Sequence, residues 1–374
     1  MVSVKSTRSR RILALDGGGI RGIFTLQILA RMEEHLRAAR SSPQLVLRDE
    51  FDFFAGTSTG AIIAACLAWG MSVAEVETLY IERGPEMFAP VPWWQRWKGK
   101  YRADAIAQFF RSHFCEDDKH RSPALLGTRR LWENDEPKYL LMVMRNASTG
   151  SPWPVCNNPR AKYNDPSLPD SNLQVPLWKL LRASTAAPTY FPPEQITLGS
   201  SQFLFVDGGI SPYNNPALIA ALMATLPQFQ INWPTGAERL QLVSVGTGSE
   251  RARLKKQAAE QVHMIDQAAF VIPALLGSVG TEQDLVCRVL GDCVHGEPID
   301  SEIGDLSGSG ILDSREKKFR YVRYNREFTA AETDLLFRES GQRFSLDNLA
   351  LIPYLQRVGR EYAAAHVRAE HLVG

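Results

Sequence analysis

The stretch that most constrains the fold of this chain runs from Phe51 to Gly60 and continues directly into the apolar run 61–68. An aromatic-rich segment that meets glycine, one residue, serine, one residue and glycine, and then becomes an apolar helix, has the build of a nucleophile elbow. The predicted elbow consists of Gly56, Thr57, Ser58, Thr59 and Gly60. In such a sharp turn the two glycines avoid backbone clashes, and Ser58 projects at the carboxyl edge of a sheet. We therefore interpret Ser58 as a candidate nucleophile, the alternative being a turn of small residues without chemistry.

A first strand, glycine loop and helix precede the elbow. Residues 11–15 have the apolar character of a short buried strand, and the loop 16–22 leads into apolar residues at helical spacing. A further helix is predicted over residues 73–83, ended by Gly84-Pro85. Strands that alternate with helices predict an α/β fold with a mainly parallel central sheet and helices on both faces. The length of 374 residues and the hydrophobic content of 44% are sufficient for such a core.

The pattern loosens between about residues 86 and 175, where turns that contain proline are frequent. A helix over 103–114 and a strand over 138–144 indicate a cap-like insertion, since a linker would lack both. Alternation then resumes to about residue 250, beyond which the signals are mostly helical. We expect a domain over residues 11–250 with this insertion, and a helical C-terminal extension, residues 251–374, that is packed on the same core or regulatory.

The composition indicates which partners and which cellular compartment to expect. The 42 Lys and Arg residues and 41 Asp and Glu residues give a net charge of +1, so the overall charge favours no nucleic-acid partner. The five cysteines are odd in number and scattered, which is typical of the reducing cytosol. We see no signal-peptide core and no apolar run of the roughly 20 residues that a membrane span requires. We therefore expect a cytoplasmic protein whose contact with a membrane, if any, is peripheral.

Three consecutive glycines, Gly17, Gly18 and Gly19, follow the first strand and open a helix. Without Cβ atoms, their backbone N–H groups can face one point beside a helix N-terminus, as an oxyanion hole requires. The spacing of Gly17, Gly19 and Gly22 also fits a dinucleotide-binding loop, which needs an acidic residue about 20 positions later at the end of a second strand. That distance falls in a charged helix end, residues 33–40. A purely structural tight turn is the remaining alternative.

The sequence marks the general base, which would accept the serine proton, less clearly than it marks the candidate nucleophile. The seven histidines are scattered and mostly flanked by charged residues, so a Ser-His-Asp triad stays open but nothing points to it. Asp207 is the better candidate, because it follows the predicted strand 203–206 and precedes Gly208-Gly209, a turn that would hold its carboxylate at the same sheet edge as Ser58. A carboxylate with an ordinary pKa near 3.9 is a weak base for serine. An aspartate that bonds only its own turn is the structural alternative.

Taken in order, these motifs resemble the patatin-like phospholipase family. The motifs are the loop 16–22, the elbow 56–60, the loop 186–193, and Asp207–Gly209 with Asn214–Pro216. The resemblance covers about residues 11–250 and is specific because four motifs occur in the family's order. It implies a three-layer α/β fold of the patatin type.

The resemblance also implies roles for named residues. Ser58 would be the nucleophile and Asp207 the base of a Ser-Asp dyad, with an oxyanion hole from Gly17 to Gly19. Arg21 matches the arginine of that loop and would support the site. The implied activity is hydrolysis of acyl esters of phospholipids, lysophospholipids or neutral lipids, with no metal and no other cofactor.

Two basic stretches that contain aromatic residues carry weaker signals. Trp93, Trp94 and Trp97 alternate with cations, which suits contact with lipid headgroups or a cap packed over the site. The second stretch, residues 315–324, fits a nucleic-acid face less well than a solvated edge strand protected by charge.

Two clusters that resemble metal sites fail the required spacing. Cys287, Cys293 and His295 lack the close pairing of cysteines in zinc sites. The acidic residues between 300 and 305 lack the glycine and the final glutamate of a calcium loop. We interpret both clusters as structural.

Two hypotheses of different class remain. The favoured one is a lipid acyl hydrolase that acts through an acyl-enzyme, with a membrane phospholipid or lysophospholipid as substrate and no nucleic-acid partner. The other is a lipid-binding or signalling module on the same fold, whose catalysis is switched off until a partner or ligand binds. The sequence does not predict acyl chain length, the ester position cleaved or the oligomeric state.

Overall fold

The computed structural model describes most of the chain. The described residues are 8–87, 101, 103–117, 122–250, 264–308 and 312–373. The strands are β1 (Arg10–Leu15), β2 (Phe53–Thr57), β3 (Trp132–Glu133), β4 (Glu136–Pro137), β5 (Tyr139–Asn146), β6 (Pro152–Cys156), β7 (Glu194–Leu198), β8 (Ser201–Asp207), β9 (Leu240–Val245), β10 (Ser249–Glu250), β11 (Asp292–His295), β12 (Arg320–Tyr324) and β13 (Glu327–Phe328). The helices are α1 (Gly22–Arg40), α2 (Leu47–Glu50), α3 (Thr59–Trp69), α4 (Val73–Met87), α5 (Ala103–His113), α6 (Leu177–Ser184), α7 (Ala217–Thr225), α8 (Met264–Leu290), α9 (Ala330–Ser340) and α10 (Ile352–His366).

A nine-stranded sheet organises the molecule, in the order β11-β12-β9-β1-β2-β5-β8-β7, with β6 also paired to β5. The strands from β11 through β5 run parallel to their neighbours, whereas β6, β7 and β8 pair in antiparallel fashion. Parallel strands need cover on both faces, which explains the continuous apolar runs of β1 and β2.

Two hydrophobic cores lie on opposite faces of this sheet. Along β1, Leu13 and Leu15 belong to one core and Ile12 and Ala14 to the other, as the two-residue period of a strand requires. Helices α1, α3 and α10 contribute to the first core, and α7 with the end of α8 to the second. The predicted three-layer α/β architecture, with a mainly parallel sheet between helices, is confirmed.

Several segments differ from the sequence expectation. The stretch expected to be an insertion supplies β5 and β6 to the central sheet, and the C-terminal part supplies β11 and β12. Helix α4 does not end at Gly84 but continues to Met87 with Pro85 inside it, since a proline in the last turn removes a single backbone hydrogen bond.

The expectation of a solvated edge strand within residues 315–324 is wrong. Strand β12 lies between β11 and β9, and four of its five residues are buried. Its two arginines misled the interpretation, because charge usually marks a solvated strand.

The register of β5 determines where the end of β8 lies. Thr57, the last residue of β2, pairs with Val143 of β5. The next residue of β5, Met144, pairs with Asp207 at the end of β8. Along β5, the pairing with β2 ends at Val143 and the pairing with β8 starts at Met144. This register brings Asp207 beside Ser58, the residue that follows Thr57.

Among the described residues, no helix is both long and apolar enough to cross a membrane.

Candidate active site

Ser58 occupies a strained turn between β2 and α3. Its backbone has φ 54° and ψ −121°, a conformation that residues other than glycine rarely adopt. A Cβ on Gly56 would overlap the carbonyl oxygen of Gly60, and one on Gly60 would overlap the carbonyl oxygen of Leu15. The Ser58 N–H donates to Ser184 Oγ at 3.0 Å. Ser58 is half-buried while its neighbours in the turn are buried, so its hydroxyl is the accessible group of the turn.

The two threonines that flank Ser58 hold the turn from either side. The Thr57 hydroxyl donates to the Tyr213 carbonyl oxygen at 2.6 Å. The Thr59 hydroxyl lies 2.6 Å from the Tyr80 hydroxyl, which also donates to the Thr59 carbonyl oxygen at 3.0 Å. Both threonines are buried and their hydroxyl groups are hydrogen-bonded within the protein, so Ser58 carries the accessible hydroxyl of the turn.

Asp207 is in direct contact with Ser58. The Ser58 hydroxyl donates to Asp207 Oδ2 at 2.6 Å, and the Gly209 N–H donates to the other carboxylate oxygen at 2.7 Å. Burial raises the pKa of Asp207 from 3.8 to about 6, although both hydrogen bonds and the charge of Arg182 act to lower it. The carboxylate is thus a stronger base than a solvated aspartate and is still largely ionised at pH 7.

The turn after Asp207 leaves little space for side chains at its two glycines. A Cβ on Gly208 would overlap the Val143 carbonyl oxygen, and one on Gly209 would lie 3.1 Å from Asp207 Oδ1. The Asp207 N–H donates to the Ala186 carbonyl oxygen at 3.0 Å, within the loop that follows α6. Backbone contacts on both sides therefore fix the direction of the carboxylate.

The glycine loop lies next to Ser58: a Cβ on Gly17 would be 3.3 Å from the Ser58 Cβ. The Gly17 N–H is already used, since it donates to the Asn214 carbonyl oxygen at 3.1 Å. Within the described part of the chain, the N–H groups of Gly18 and Gly19 donate to no protein acceptor. Gly19 has φ 58°, and the Leu346 carbonyl oxygen occupies the space of a Cβ, so only glycine fits there. Of the three predicted oxyanion donors, two amides therefore donate to no acceptor among the described residues.

Arg21 lies beside the same loop. Its Nε is 3.4 Å from the Gly18 carbonyl oxygen, and its guanidinium is 5.6 Å from the centre of the Phe344 ring. The next contact along the loop is the Ile20 N–H, which donates to the Leu346 carbonyl oxygen at 2.8 Å. The segment around residues 344–346, outside the predicted domain, thus borders the glycine loop.

The sequence did not lead us to two residues that contact Ser58 or the start of the glycine loop. Ser184 accepts the hydrogen bond from the Ser58 N–H, and Arg323 forms an ion pair with Asp16 at the start of the glycine loop. No local pattern marks Ser184. The signal for Arg323 was present, since an arginine between Val322 and Tyr324 interrupts an apolar strand and must find a partner if buried.

Other predicted sites stay outside this constellation. Trp93, Trp94 and Trp97, the predicted membrane contacts, lie outside the described residues. In the described ranges, no group of three or more His, Cys, Asp and Glu side chains is arranged to hold a metal ion. All five cysteines are buried and free.

A family model described as patatin-like phospholipase matches residues 13–221, more than half of the chain. The chain belongs to the patatin-like phospholipase family. The match includes the glycine loop, the elbow and Asp207, and it ends before β9 and all later elements.

Known relatives share this region. A protein of Escherichia coli (strain TW11681) named cGAMP-activated phospholipase is 29% identical over 64% of this chain and 62% of its own length. Patatin-17 of Solanum cardiophyllum is 27% identical over 64% of this chain and 60% of its own length. The matches thus span less than two thirds of either relative. The crystal structure of VipD from Legionella pneumophila, at 14% identity, aligns with 96% of this chain and 67% of that one with a TM-score of 0.40, a similarity from which no detail of this chain follows.

Proposed function

We propose that this protein is a lipid acyl hydrolase of the phospholipase A or lysophospholipase type, with Ser58 and Asp207 as its catalytic dyad. The observation that carries the proposal is the 2.6 Å hydrogen bond from the Ser58 hydroxyl to a buried Asp207 carboxylate, in a chain that belongs to the patatin-like phospholipase family. Nucleophile and base are thus already within proton-transfer distance.

In the acylation step, Ser58, Asp207 and the glycine loop each have a separate role. Ser58 Oγ attacks the ester carbonyl carbon and its proton passes to Asp207, while the carbonyl oxygen gains negative charge. The N–H groups of Gly18 and Gly19 donate to no acceptor in the described ranges and lie beside a helix N-terminus, so they are suited to bind that oxygen. Asp207 then gives the proton to the departing alcohol oxygen, and the fatty acyl group stays on Ser58.

Deacylation repeats the steps with water. Asp207 takes a proton from a water molecule, whose oxygen attacks the acyl carbon. The bond to Ser58 Oγ breaks, Ser58 recovers the proton, and the fatty acid leaves. An unpartnered carboxylate at its ordinary pKa would be a weaker base for both steps, so the raised pKa of Asp207 supports this assignment.

The test compares wild type, Ser58→Ala and Asp207→Asn on a short-chain nitrophenyl ester and on vesicles of fluorescent phosphatidylcholine. Either substitution should reduce kcat/KM roughly a thousandfold or more. Ser278→Ala and Asp334→Asn, two exposed positions outside the site, are the matched controls and should keep wild-type rates. Near-normal turnover by Asp207→Asn would place the base elsewhere.

The same assay separates this proposal from the gated alternative. One relative carries activation by cGAMP in its name, so each protein is assayed with and without cyclic GMP–AMP. Because the dyad contact is formed within the chain itself, we expect wild-type turnover without any addition. Turnover only in the presence of the nucleotide would favour the gated module.

A further inference from the structure

We infer that Arg323, in the C-terminal part of the chain, is a positioning residue that fixes the oxyanion loop through a buried ion pair with Asp16. The inference rests on the proposed function, since the loop matters only if Gly18 and Gly19 bind an oxyanion. Arg323 lies outside the residues that the family model matches. It is separated from Asp16 by 307 positions in the sequence.

The ion pair has the geometry of a strong interaction. Arg323 Nη1 donates to Asp16 Oδ1 at 2.9 Å and Nη2 donates to Oδ2 at 2.6 Å, a bidentate arrangement. The two side chains are only 5% and 9% exposed. Burial raises the pKa of Asp16, an effect that the charge of Arg323 opposes. Without Arg323, the buried carboxylate would lose its bidentate partner and keep only the weaker effect of the Arg21 charge.

Strand pairing brings the two residues together across β9. Arg323 pairs with Ser244 of β9, which in turn pairs with Ala14 of β1. Asp16 lies two residues beyond Ala14, so the two-residue period of the strand puts it on the same side. The intervening residue is small, which lets the guanidinium reach past it, and Arg323 Nη1 also donates to the Ser244 hydroxyl at 2.7 Å.

Asp16 is the last residue before the glycines, so fixing it fixes the start of the loop. Its N–H donates to the Val245 carbonyl oxygen at 3.1 Å, which continues the ladder between β1 and β9. At the next residue, the Gly17 carbonyl oxygen accepts from Thr247 Oγ1 at 3.1 Å. Because a trans peptide is planar, the direction of the Gly17 carbonyl determines the opposite direction of the Gly18 N–H. Arg323 therefore acts on the proposed oxyanion donor through Asp16, without contact to substrate.

The chain offers a matched control. Arg288 forms a second ion pair with an aspartate, in which Nη2 donates to Asp284 Oδ2 at 2.7 Å and Nε to Oδ1 at 3.1 Å; the two side chains are 2% and 13% exposed. That pair lies within α8, and in the part of the chain that the structure describes neither residue hydrogen-bonds to the glycine loop, although the charge of Asp284 also acts on Asp16. Replacement of each arginine by lysine keeps the charge and removes the bidentate fork.

The experiment measures Arg323→Lys and Arg288→Lys in the full chain. Active sites are counted with a fluorophosphonate that labels the reactive serine, and kcat and KM on nitrophenyl butyrate are given per labelled site. We expect Arg323→Lys to lower kcat roughly 100-fold with KM within about twofold of wild type, because misplaced oxyanion donors weaken the transition state more than substrate binding. Arg288→Lys should keep kcat per site. Wild-type kcat in folded Arg323→Lys would overturn the inference.

A second readout does not depend on turnover. Hydrogen exchange of the peptide that contains residues 12–24 should be faster in Arg323→Lys than in wild type and unchanged in Arg288→Lys; equal exchange in all three proteins would overturn the inference.

If wild type hydrolyses no ester, the proposed function fails, and exchange alone decides whether Arg323 holds the loop. If Arg323→Lys does not fold, Ser244→Ala removes one contact of the same guanidinium and should reduce kcat about fivefold; wild-type values of kcat and exchange there would count against the inference.

Discussion

The two halves of the proposed dyad are built in different ways. Ser58 lies on a local unit, a parallel strand that turns directly into α3, and the glycines of the turn are within two residues of it. Asp207 lies at the end of an antiparallel strand, and its position depends on the pairing of β8 with β5. The nucleophile half is thus determined by neighbouring residues, and the base half by long-range register.

This difference shows how each half tolerates change. In the elbow, backbone atoms pack against backbone atoms, so there is no space for a Cβ at either glycine. The turn after Asp207 is also closely packed at Gly208, but this half alone depends on a buried carboxylate whose pKa is raised. We therefore expect steric changes to affect both halves and changes of pH to affect the second.

The largest effect should come from Gly60→Ala. The added Cβ would overlap the Leu15 carbonyl oxygen at the end of β1, and backbone cannot move aside as a flexible side chain does. We expect the free energy of unfolding to fall by about 4 kcal/mol or more, measured by urea denaturation. The control is Gly277→Ala in α8, where no atom of the described residues lies within 4 Å of the added Cβ and φ is ordinary, so no loss is expected. A mild effect at Gly60 would mean that the elbow can relax.

The base half should respond to pH in a way that the nucleophile half does not. Asp207 must be ionised to accept a proton, and burial raises its pKa to about 6. As pH falls through 6, kcat/KM should therefore drop, approaching tenfold per pH unit well below that value. The residual activity of Asp207→Asn should lack this limb. A limb near pH 4 in wild type would indicate a solvated carboxylate or a different base.

The smallest effect should come from Ser184→Ala, which tests the connection between the halves. The Ser184 hydroxyl accepts from the Ser58 N–H and donates to the Val143 carbonyl oxygen at 2.6 Å, so it joins the elbow to the strand that pairs with β8. Loss of these neutral hydrogen bonds should lower the free energy of unfolding by about 1–2 kcal/mol. A thermal melt compared with Ser278→Ala, an exposed serine, measures the difference. A change no larger than that of the control would make the two halves independent.

Prediction from sequence succeeded where structure is local. The strand over 11–15 is observed as Arg10–Leu15, and the elbow lies at the strand-to-helix turn, because apolar runs and glycines encode both directly. Strand β8 was predicted, but its antiparallel direction was not, since pairing partners leave no trace in the strand itself. The contact between Ser58 and Asp207 therefore depends on a register that sequence patterns do not contain.

The same limit explains the error at β12. Arginines in a strand usually face water, and only the position of β12 next to β9 shows that Arg323 is buried against Asp16. The glycine loop was predicted from its own residues, whereas the ion pair that holds it joins positions 307 residues apart. Local motifs thus indicate the proposed reactive groups, and long-range pairing supplies the contacts that hold them.

The distance along the chain between Asp16 and Arg323 also sets an order of events during synthesis. At about 5–20 residues per second, a ribosome needs roughly 15–60 s to extend the chain by the 307 positions from Asp16 to Arg323. The elbow and Asp207 emerge well before β12 completes the sheet. A nascent chain therefore carries the proposed dyad before Arg323 can pair with Asp16, so the proposed oxyanion loop is ordered only after β12 has been made.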